Sequence, residues 1–252
     1  MSGHSKWSTI KHQKGVADQK RGQAFTKLGF AITLAVRAGG EISDPNINFK
    51  LRLAIEKARS ANMPKENIQR AIERAKGSEA GELVEINYEG FGPGGIAFLV
   101  QTATDNRQRT VQEIKNILES FGGTLAGPGA TAYLFQNIGT ITISKHGKTS
   151  DEIMDKVIEA GAQDLEEAGD EIIVYTKHED LHKTRETLEK QGIAIIESEL
   201  TLRPTSTISI TSPETAQKVL NLIDKLEDND NVQHVFANFD IPDEILRNIT
   251  QK

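Results

Sequence analysis

No cysteine occurs among the 252 residues, which excludes disulfide scaffolding, thiol catalysis and thiolate zinc sites and points to a reducing compartment. Long apolar runs are missing as well. Stretches such as Ile193 to Ile196 fall far below the ~18 residues that a membrane helix requires, and Met1 to Lys14 has no apolar core of the signal-peptide kind. The expectation is a soluble, cytoplasmic, unsecreted protein with no membrane partner. Apolar residues are not scarce enough for disorder: 37% hydrophobic residues beside 21 glycines fall in the globular range. The length suits roughly one to two domains of ordinary size, each able to bury a core.

What is present is unevenly charged. Residues 1 to 76 hold 15 Lys+Arg against 6 Asp+Glu, a net of +9, and the remaining 176 residues hold 15 against 30, a net of −15. A basic segment joined to acidic ones suggests that one part meets a polyanion while the rest keeps the molecule soluble and off non-specific sites. A basic transit peptide would suit the start but not the well-formed helices that follow.

Residues 1 to 17 read as a basic arm without periodicity, with Lys6, Lys11, His12 and Lys14 around the single Trp7. From Asp18, apolar residues recur at Phe25, Leu28, Ile32, Ala35 and Val36 until Gly39 and Gly40 end the helix. Asp44 and Pro45 read as the cap and first turn of a second helix, with Leu51, Ala54, Ile55 and Ala58 on one face and an end near Ala61. Pro64 opens a third, whose apolar face is Ile68, Ala71, Ile72 and Ala75 and whose outer residues include Lys65, Arg70 and Arg74. Together they make a small basic bundle, residues 1–77. The short turn from Ser60 to Met63 fits a helix-turn-helix no better than many other helix pairs, and no base-reading side chain is identifiable.

The acidic part reads as two α/β units, one inside the other. Val84, Ile86 and Tyr88 alternate with Glu85, Asn87 and Glu89 as in a half-buried strand. A glycine loop from Gly90 to Gly95 follows, then a strand from Ile96 to Thr104, a helix capped by Asp105, and a strand at 131–136. Between Gly139 and Arg203 the order is strand 140–144, helix 150–161, strands 164–168 and 171–176, helix 180–191 and strand 193–202, the ferredoxin-like β-α-β-β-α-β unit. A strand at 207–210, a helix at 213–226 and a strand at 232–240 then complete a second such unit begun by the strand-helix-strand at 96–136. The fold class expected is α+β, an N-terminal three-helix domain followed by two ferredoxin-like α/β domains. One of these, 138–204, is inserted in the other, 78–137 plus 205–252.

Three motif matches carry little chemistry. His178-Glu179-Asp180-Leu181-His182 spells H-E-x-x-H, but it falls at the start of a short surface helix with no convincing third ligand for zinc. Gly90 to Gly95 spells G-x-G-x-x-G, yet a strand follows it, so no helix N-terminus is there for a pyrophosphate. Gly147-Lys148-Thr149 resembles the end of a P-loop whose first glycine is missing. No catalytic residue, cofactor or metal is therefore expected. Two loops are more useful. Thr104 to Thr110 offers Asn106, Arg107 and Arg109 at a helix start, either as an anion site or as a cap with exposed arginines. Gly123 to Ala130 is a small-residue loop, able to approach another backbone or serving as a mere connection.

The start Ser2-Gly3-His4-Ser5-Lys6-Trp7, the run Ala61-Asn62-Met63-Pro64-Lys65-Glu66-Asn67-Ile68, the segment Tyr88-Glu89-Gly90-Phe91-Gly92-Pro93-Gly94-Gly95, then Thr104-Asp105-Asn106-Arg107 and Gly127-Pro128-Gly129 resemble the YebC family over essentially the whole chain. That family includes proteins labelled probable transcriptional regulators and the mitochondrial translational activator of cytochrome oxidase. The resemblance implies a three-domain cytoplasmic protein that either binds DNA to regulate transcription or acts on the ribosome to relieve stalling at proline-rich stretches. Neither role is enzymatic. The expected partner is nucleic acid, DNA or ribosomal RNA, with a pure protein-interaction module as the competing class. The residues expected to meet it are Lys6, Trp7, Lys11, His12, Lys14, Lys20, Arg21, Lys27, Lys65, Arg70, Arg74, Asn106, Arg107 and Arg109.

Overall fold

The computed structural model describes residues 18–76, 83–145 and 150–250. Three helices come first, α1 (Asp18–Ala38), α2 (Phe49–Ser60) and α3 (Lys65–Lys76). Their buried stripes meet in one cluster that includes Ile32, Val36, Leu51, Ile55, Ala58, Ile68 and Ala71, as the three-and-four spacing requires. Thr33, 1% exposed, donates its hydroxyl to the Gly29 carbonyl of its own helix and the Ala71 carbonyl of α3, both at 3.0 Å, which fixes the two helices to each other. The cap of α2 differs from expectation. Asp44 closes a preceding turn by accepting from the Asn46 N–H at 2.8 Å, and the cap is Asn48, whose side chain accepts from the Leu51 N–H at 3.0 Å. Buried Asn48 also donates to the Ala35 and Ile42 carbonyls, so one amide joins α1, the loop and α2; Asp44 has no comparable anchorage.

The chain divides into two compact units, residues 135–203 and the residues on either side of them. Outside the 135–203 unit, the larger sheet has the order β3-β1-β2-β9. Its strands are β1 (Val84–Phe91), β2 (Ala97–Thr104), β3 (Thr124–Ala126) and β9 (Val232–Ala237). β1 and β2 form an antiparallel hairpin, Val84 opposite Thr104 and Phe91 opposite Ala97, and β9 pairs antiparallel with the far side of β2. Two helices, α4 (Arg107–Ser120) and α7 (Pro213–Glu227), pack with the sheet around Phe98, Val100, Ile114, Leu118, Val219, Ile223 and Val235.

The fold class is the expected α+β, while several strands take other roles. The strand after α4 is Thr124–Ala126, inside the small-residue loop, because Thr131 is drawn into a buried contact described below and Ala132–Leu134 forms a 3-10 turn. Residues 135 onward belong to the other unit's sheet. The second middle strand is β1 rather than residues 207–210; of these, β8 (Ile208–Ser209) pairs in parallel with β10 (Phe239–Asp240) as a separate two-stranded sheet. The expected strand 232–240 is interrupted at Asn238, whose side chain accepts from the Ala97 N–H at 2.8 Å. A last helix, α8 (Asp243–Thr250), lies beyond the expected elements; it follows Pro242 and sets Leu246 into the core.

The 135–203 unit has the sheet order β5-β6-β4-β7. Its strands are β4 (Phe135–Ser144), β5 (Asp164–Ala168), β6 (Glu171–Lys177) and β7 (Ile195–Pro204), and its helices α5 (Ser150–Glu159) and α6 (Leu181–Lys190). That is the strand order of a ferredoxin-like fold. Ile141, Ile143, Ile153, Val157, Val174, Leu181 and Leu188 are its most buried apolar side chains.

Candidate nucleic-acid interface

Lys6, Trp7, Lys11, His12 and Lys14 lie outside the described residues, as does Gly147-Lys148-Thr149. Lys20 falls in the first turn of α1 and Arg21 is exposed beside it. Lys27 faces inward and donates to the Glu227 carbonyl at the end of α7, where a cation also suits the helix dipole. Its ammonium therefore ties the bundle to the adjoining α/β layer. Arg37 does the same at the other end of α1, donating to the Leu83 carbonyl at 2.8 Å.

The remaining expected cations of the bundle lie on α3. Lys65, Arg70 and Arg74 of α3 are all exposed. Arg70 and Arg74, four residues apart, share one helix face. That face overlooks a groove of about 400 Å3 between α1 and α3, lined by Phe25, Phe30, Met63, Asn67, Arg70 and Arg74 among others. The Arg74 guanidinium lies over the Phe30 ring, 5.5 Å from its centroid. Arg70 donates to the Asn67 side chain and to the Glu66 carbonyl.

Asn106, Arg107 and Arg109 are in a different setting. The cap of α4 is Asn106, not Asp105: its side chain accepts from the Arg109 N–H at 3.0 Å, and its own N–H donates to the buried Thr104 hydroxyl at 2.9 Å. Asp105 pairs instead with Arg109 at 2.9 Å, and Glu113 approaches the same guanidinium at 3.9 Å. Arg107 alone of the three makes no side-chain bond among the described residues. The hollow beside Arg109 also holds Asp228 and Asp230 and reaches Thr26 and Phe30 of α1. Thus Phe30 stands between an arginine-lined groove and an acid-lined one.

One residue that sequence reasoning passed over organises its surroundings. Glu89 falls in the outward half of the β1 alternation with Glu85 and Asn87, yet it is only 7% exposed. Its carboxylate accepts from the N–H groups of Gly129 at 2.7 Å, Thr131 at 2.6 Å and Ala132 at 2.8 Å, and from the Thr131 hydroxyl at 3.2 Å. Burial opposes its ionisation, but the hydrogen bonds from Thr131, Gly129 and Ala132 together outweigh burial and hold its pKa below the ordinary glutamate value. The Gly127-Pro128-Gly129 loop is therefore pinned over the end of the hairpin, and Tyr133 beyond it is 73% exposed. The signal was a second glycine-proline-glycine run downstream of an acidic residue in a polar strand face.

The other motifs resolve structurally. A Cβ on Gly92 would meet the Phe98 ring at 2.5 Å, and Gly94 and Gly95 take φ of +75° and +74° in the tight turn between the hairpin strands. Helix α6 opens at Leu181, so His178 and Glu179 precede it and the two histidines do not share a helical face; His182 meets Glu186 at 3.4 Å. Among the described residues no group of three or more His, Asp or Glu side chains is placed to hold a metal ion, and no helix is long and apolar enough to cross a membrane.

These features define an α+β protein with a basic helical bundle and two sheet-bearing units. The chain belongs to the TACO1/YebC family: residues 5–78 match the TACO1/YebC protein N-terminal domain and residues 83–239 the TACO1/YebC second and third domain. A Sulfurihydrogenibium protein named a probable transcriptional regulatory protein is 47% identical, with 99% of each chain covered. One of the same name from Aquifex aeolicus is 44% identical over 99% of this chain and all of its own. The crystal structure of a conserved hypothetical protein from Aquifex aeolicus superposes with a TM-score of 0.84 at 43% identity, covering 91% of this chain and 94% of that one.

Proposed function

We propose that the protein is a non-enzymatic, nucleic-acid-binding regulator of gene expression that grips its polyanion through the basic arm and helical bundle. The observation that carries this reading is the state of the bundle cations. Arg59, Lys65, Arg70, Arg74 and Lys76 are exposed and have no carboxylate partner among the described residues, so their field is left to an external anion. Lys6, Trp7, Lys11, His12, Lys14, Lys20 and Arg21 precede these cations in the sequence, and the lysines and arginine among them add to the positive charge. The relatives named probable transcriptional regulatory proteins favour transcription, whose template is duplex DNA. A second reading, a translation factor that works on the ribosome, is favoured by the net charge of −15 over residues 77–252. Such a surface is repelled by a long duplex but projects freely from a folded RNA site.

The test is a duplex DNA mobility shift beside co-sedimentation with ribosomes, at one salt concentration. A shift supports the transcriptional form, co-sedimentation without a shift supports the ribosomal one, and indifference to both overturns the proposal in favour of a protein-interaction module.

A further inference from the structure

We propose that the groove between α1 and α3 is a binding site for an unpaired nucleotide, its base stacked on the Arg74–Phe30 pair and its phosphate held by Arg70. The inference rests on the nucleic-acid reading above and names which form of nucleic acid this face takes. A solvated basic helix needs only charge. Here the cations are joined to aromatic and apolar surface in one concavity of about 400 Å3, a size suited to a base and its sugar rather than to a duplex groove. The platform is already assembled. Arg74 lies 5.5 Å above the Phe30 ring, so a planar, delocalised cation backed by an aromatic ring faces outward, and bases stack on both kinds of plane. Phe25 and Met63 supply apolar walls beside it. Arg70 is oriented by its bonds to the Asn67 side chain and the Glu66 carbonyl, and neither contact neutralises its charge.

The far side of Phe30 gives the site a direction. There the one cation of the lining, Arg109, is paired with Asp105 and Glu113, and Asp228 and Asp230 leave the hollow net negative, which repels phosphate. The backbone of a bound strand is thereby confined to the α3 side, where Arg70 stands. A duplex gains nothing from this arrangement, because its bases are stacked on one another and its phosphates are served equally well by any of the exposed lysines.

The experiment measures binding of the full chain, by fluorescence anisotropy at one salt concentration, to three labelled 12-nucleotide probes: a mixed-sequence single-stranded RNA, the same sequence as single-stranded DNA, and the RNA duplex. Two variants separate stacking from charge. Phe30→Leu keeps apolar volume and removes the ring, and Arg74→Lys keeps the charge and removes the plane. Each should weaken single-strand binding about five- to tenfold while changing duplex binding by less than twofold, and Phe30→Tyr should restore the parent affinity. Equal losses on single strand and duplex, or no loss on either, overturn the groove assignment while the nucleic-acid reading stands. Failure of the parent protein to bind either single-stranded probe overturns the groove assignment, while the nucleic-acid reading stands or falls separately on the duplex DNA shift and ribosome co-sedimentation. A thermal melt of Phe30→Leu beside Phe30→Tyr removes a folding defect as the cause, and the two single-stranded probes distinguish RNA from DNA as the source of the nucleotide.

Discussion

Several cations of the helical bundle and several of the α/β regions have opposite surroundings. In the α/β regions they meet carboxylates: Lys218 with Glu214 at 2.8 Å, Lys145 with Glu167 at 2.7 Å, Arg185 with Glu189 and Arg203 with Asp164 at 3.0 Å each. Three bundle arginines meet carbonyls and rings instead. Arg52 donates to the Pro45 and Asn46 carbonyls and lies over Phe49, Arg37 donates to Leu83, and Arg74 covers Phe30. Exposed ion pairs contribute only about 0–1 kcal/mol each, so the contrast says little about which region is more stable. It says which region has a field to offer. Carbonyl and ring contacts orient a guanidinium without cancelling its charge, whereas a carboxylate does both.

The largest expected effect tests that contrast directly. Replacing Arg59, Lys65, Arg70 and Arg74 together by Gln should weaken nucleic-acid binding on the order of 10²-fold at low salt and lower the slope of log affinity against log salt by ~0.7–0.9 for each phosphate left without its cation. All four are exposed, so the melting temperature should barely move. Lys115→Gln with Lys218→Gln is the matched control, since both are paired along their helices. If the control weakens binding as much as the quadruple variant does, the distinction between the two regions has no functional meaning.

Glu89 sharpens the comparison from the acidic side. It is the most deeply held carboxylate of the hairpin region, yet its partners are backbone N–H groups and a hydroxyl rather than a cation. Glu89→Gln turns one acceptor oxygen into an NH2 group that faces donors, and it should cost about 2–3 kcal/mol by chemical denaturation. The pH dependence follows from the lowered pKa. Because the folded value lies below the unfolded one, the contribution of Glu89 is complete above the ordinary glutamate range and is lost as pH falls through the lowered value. The difference between parent and variant should therefore shrink on acidification; a difference that stays constant would show that packing, not ionisation, is at stake.

Much of this architecture was legible because its signals were local. The three-and-four spacing of Ile32, Val36, Leu51, Ile55 and Ile68 places the bundle core without tertiary information, and the element order between 139 and 203 suffices for the ferredoxin-like unit. What escaped depended on distant partners. Nothing near Asn48 announces that its amide will reach Ala35 and Ile42 and so outcompete Asp44 as the cap. The three-residue β3 has too little sequence for a periodic signal, and its place is set by pairing with β1 through Glu89 opposite Ala126. In sequence the outer face of α3 is visible as charge alone. Lys65, Arg70 and Arg74 could be named from their spacing, but the apposition of Phe25 and Phe30 to them, and the diversion of Lys27 to the end of α7, arise only when α1 packs.

A smaller effect probes the 135–203 unit. The Arg203 guanidinium lies 4.2 Å from the Tyr175 ring centroid and reaches Asp164 at 3.0 Å and Glu166 at 3.4 Å, with its side chain 28% exposed. Arg203→Ala should cost about 1 kcal/mol, the combined scale of an exposed ion pair and a cation–π contact, and leave nucleic-acid affinity unchanged. A binding defect in a variant that melts like the parent would mean that paired cations also serve the interface, and would break the comparison.

The smallest effect, and the finest division, lies within one loop. Arg107 and Arg109 are two residues apart and both exposed, but Arg109 is held by Asp105 and Glu113 while Arg107 makes no side-chain bond among the described residues. If carboxylate pairing decides which cations are offered to an anion, Arg109→Ala should leave affinity unchanged and cost at most about 0.5 kcal/mol of stability. Arg107→Ala should do the reverse, weakening binding two- to threefold with no measurable change in melting, and Arg107→Lys should restore only part of the loss because the planar fork is gone. The Asn106 cap and the Thr104–Thr110 hydroxyl contact beneath it are untouched by either change, so the backbone N–H groups at the start of α4 stay in place in both variants. Equal losses from the two substitutions would mean that a bound phosphate displaces Asp105 from Arg109, and that the pairing observed in the free protein does not predict which charges are used.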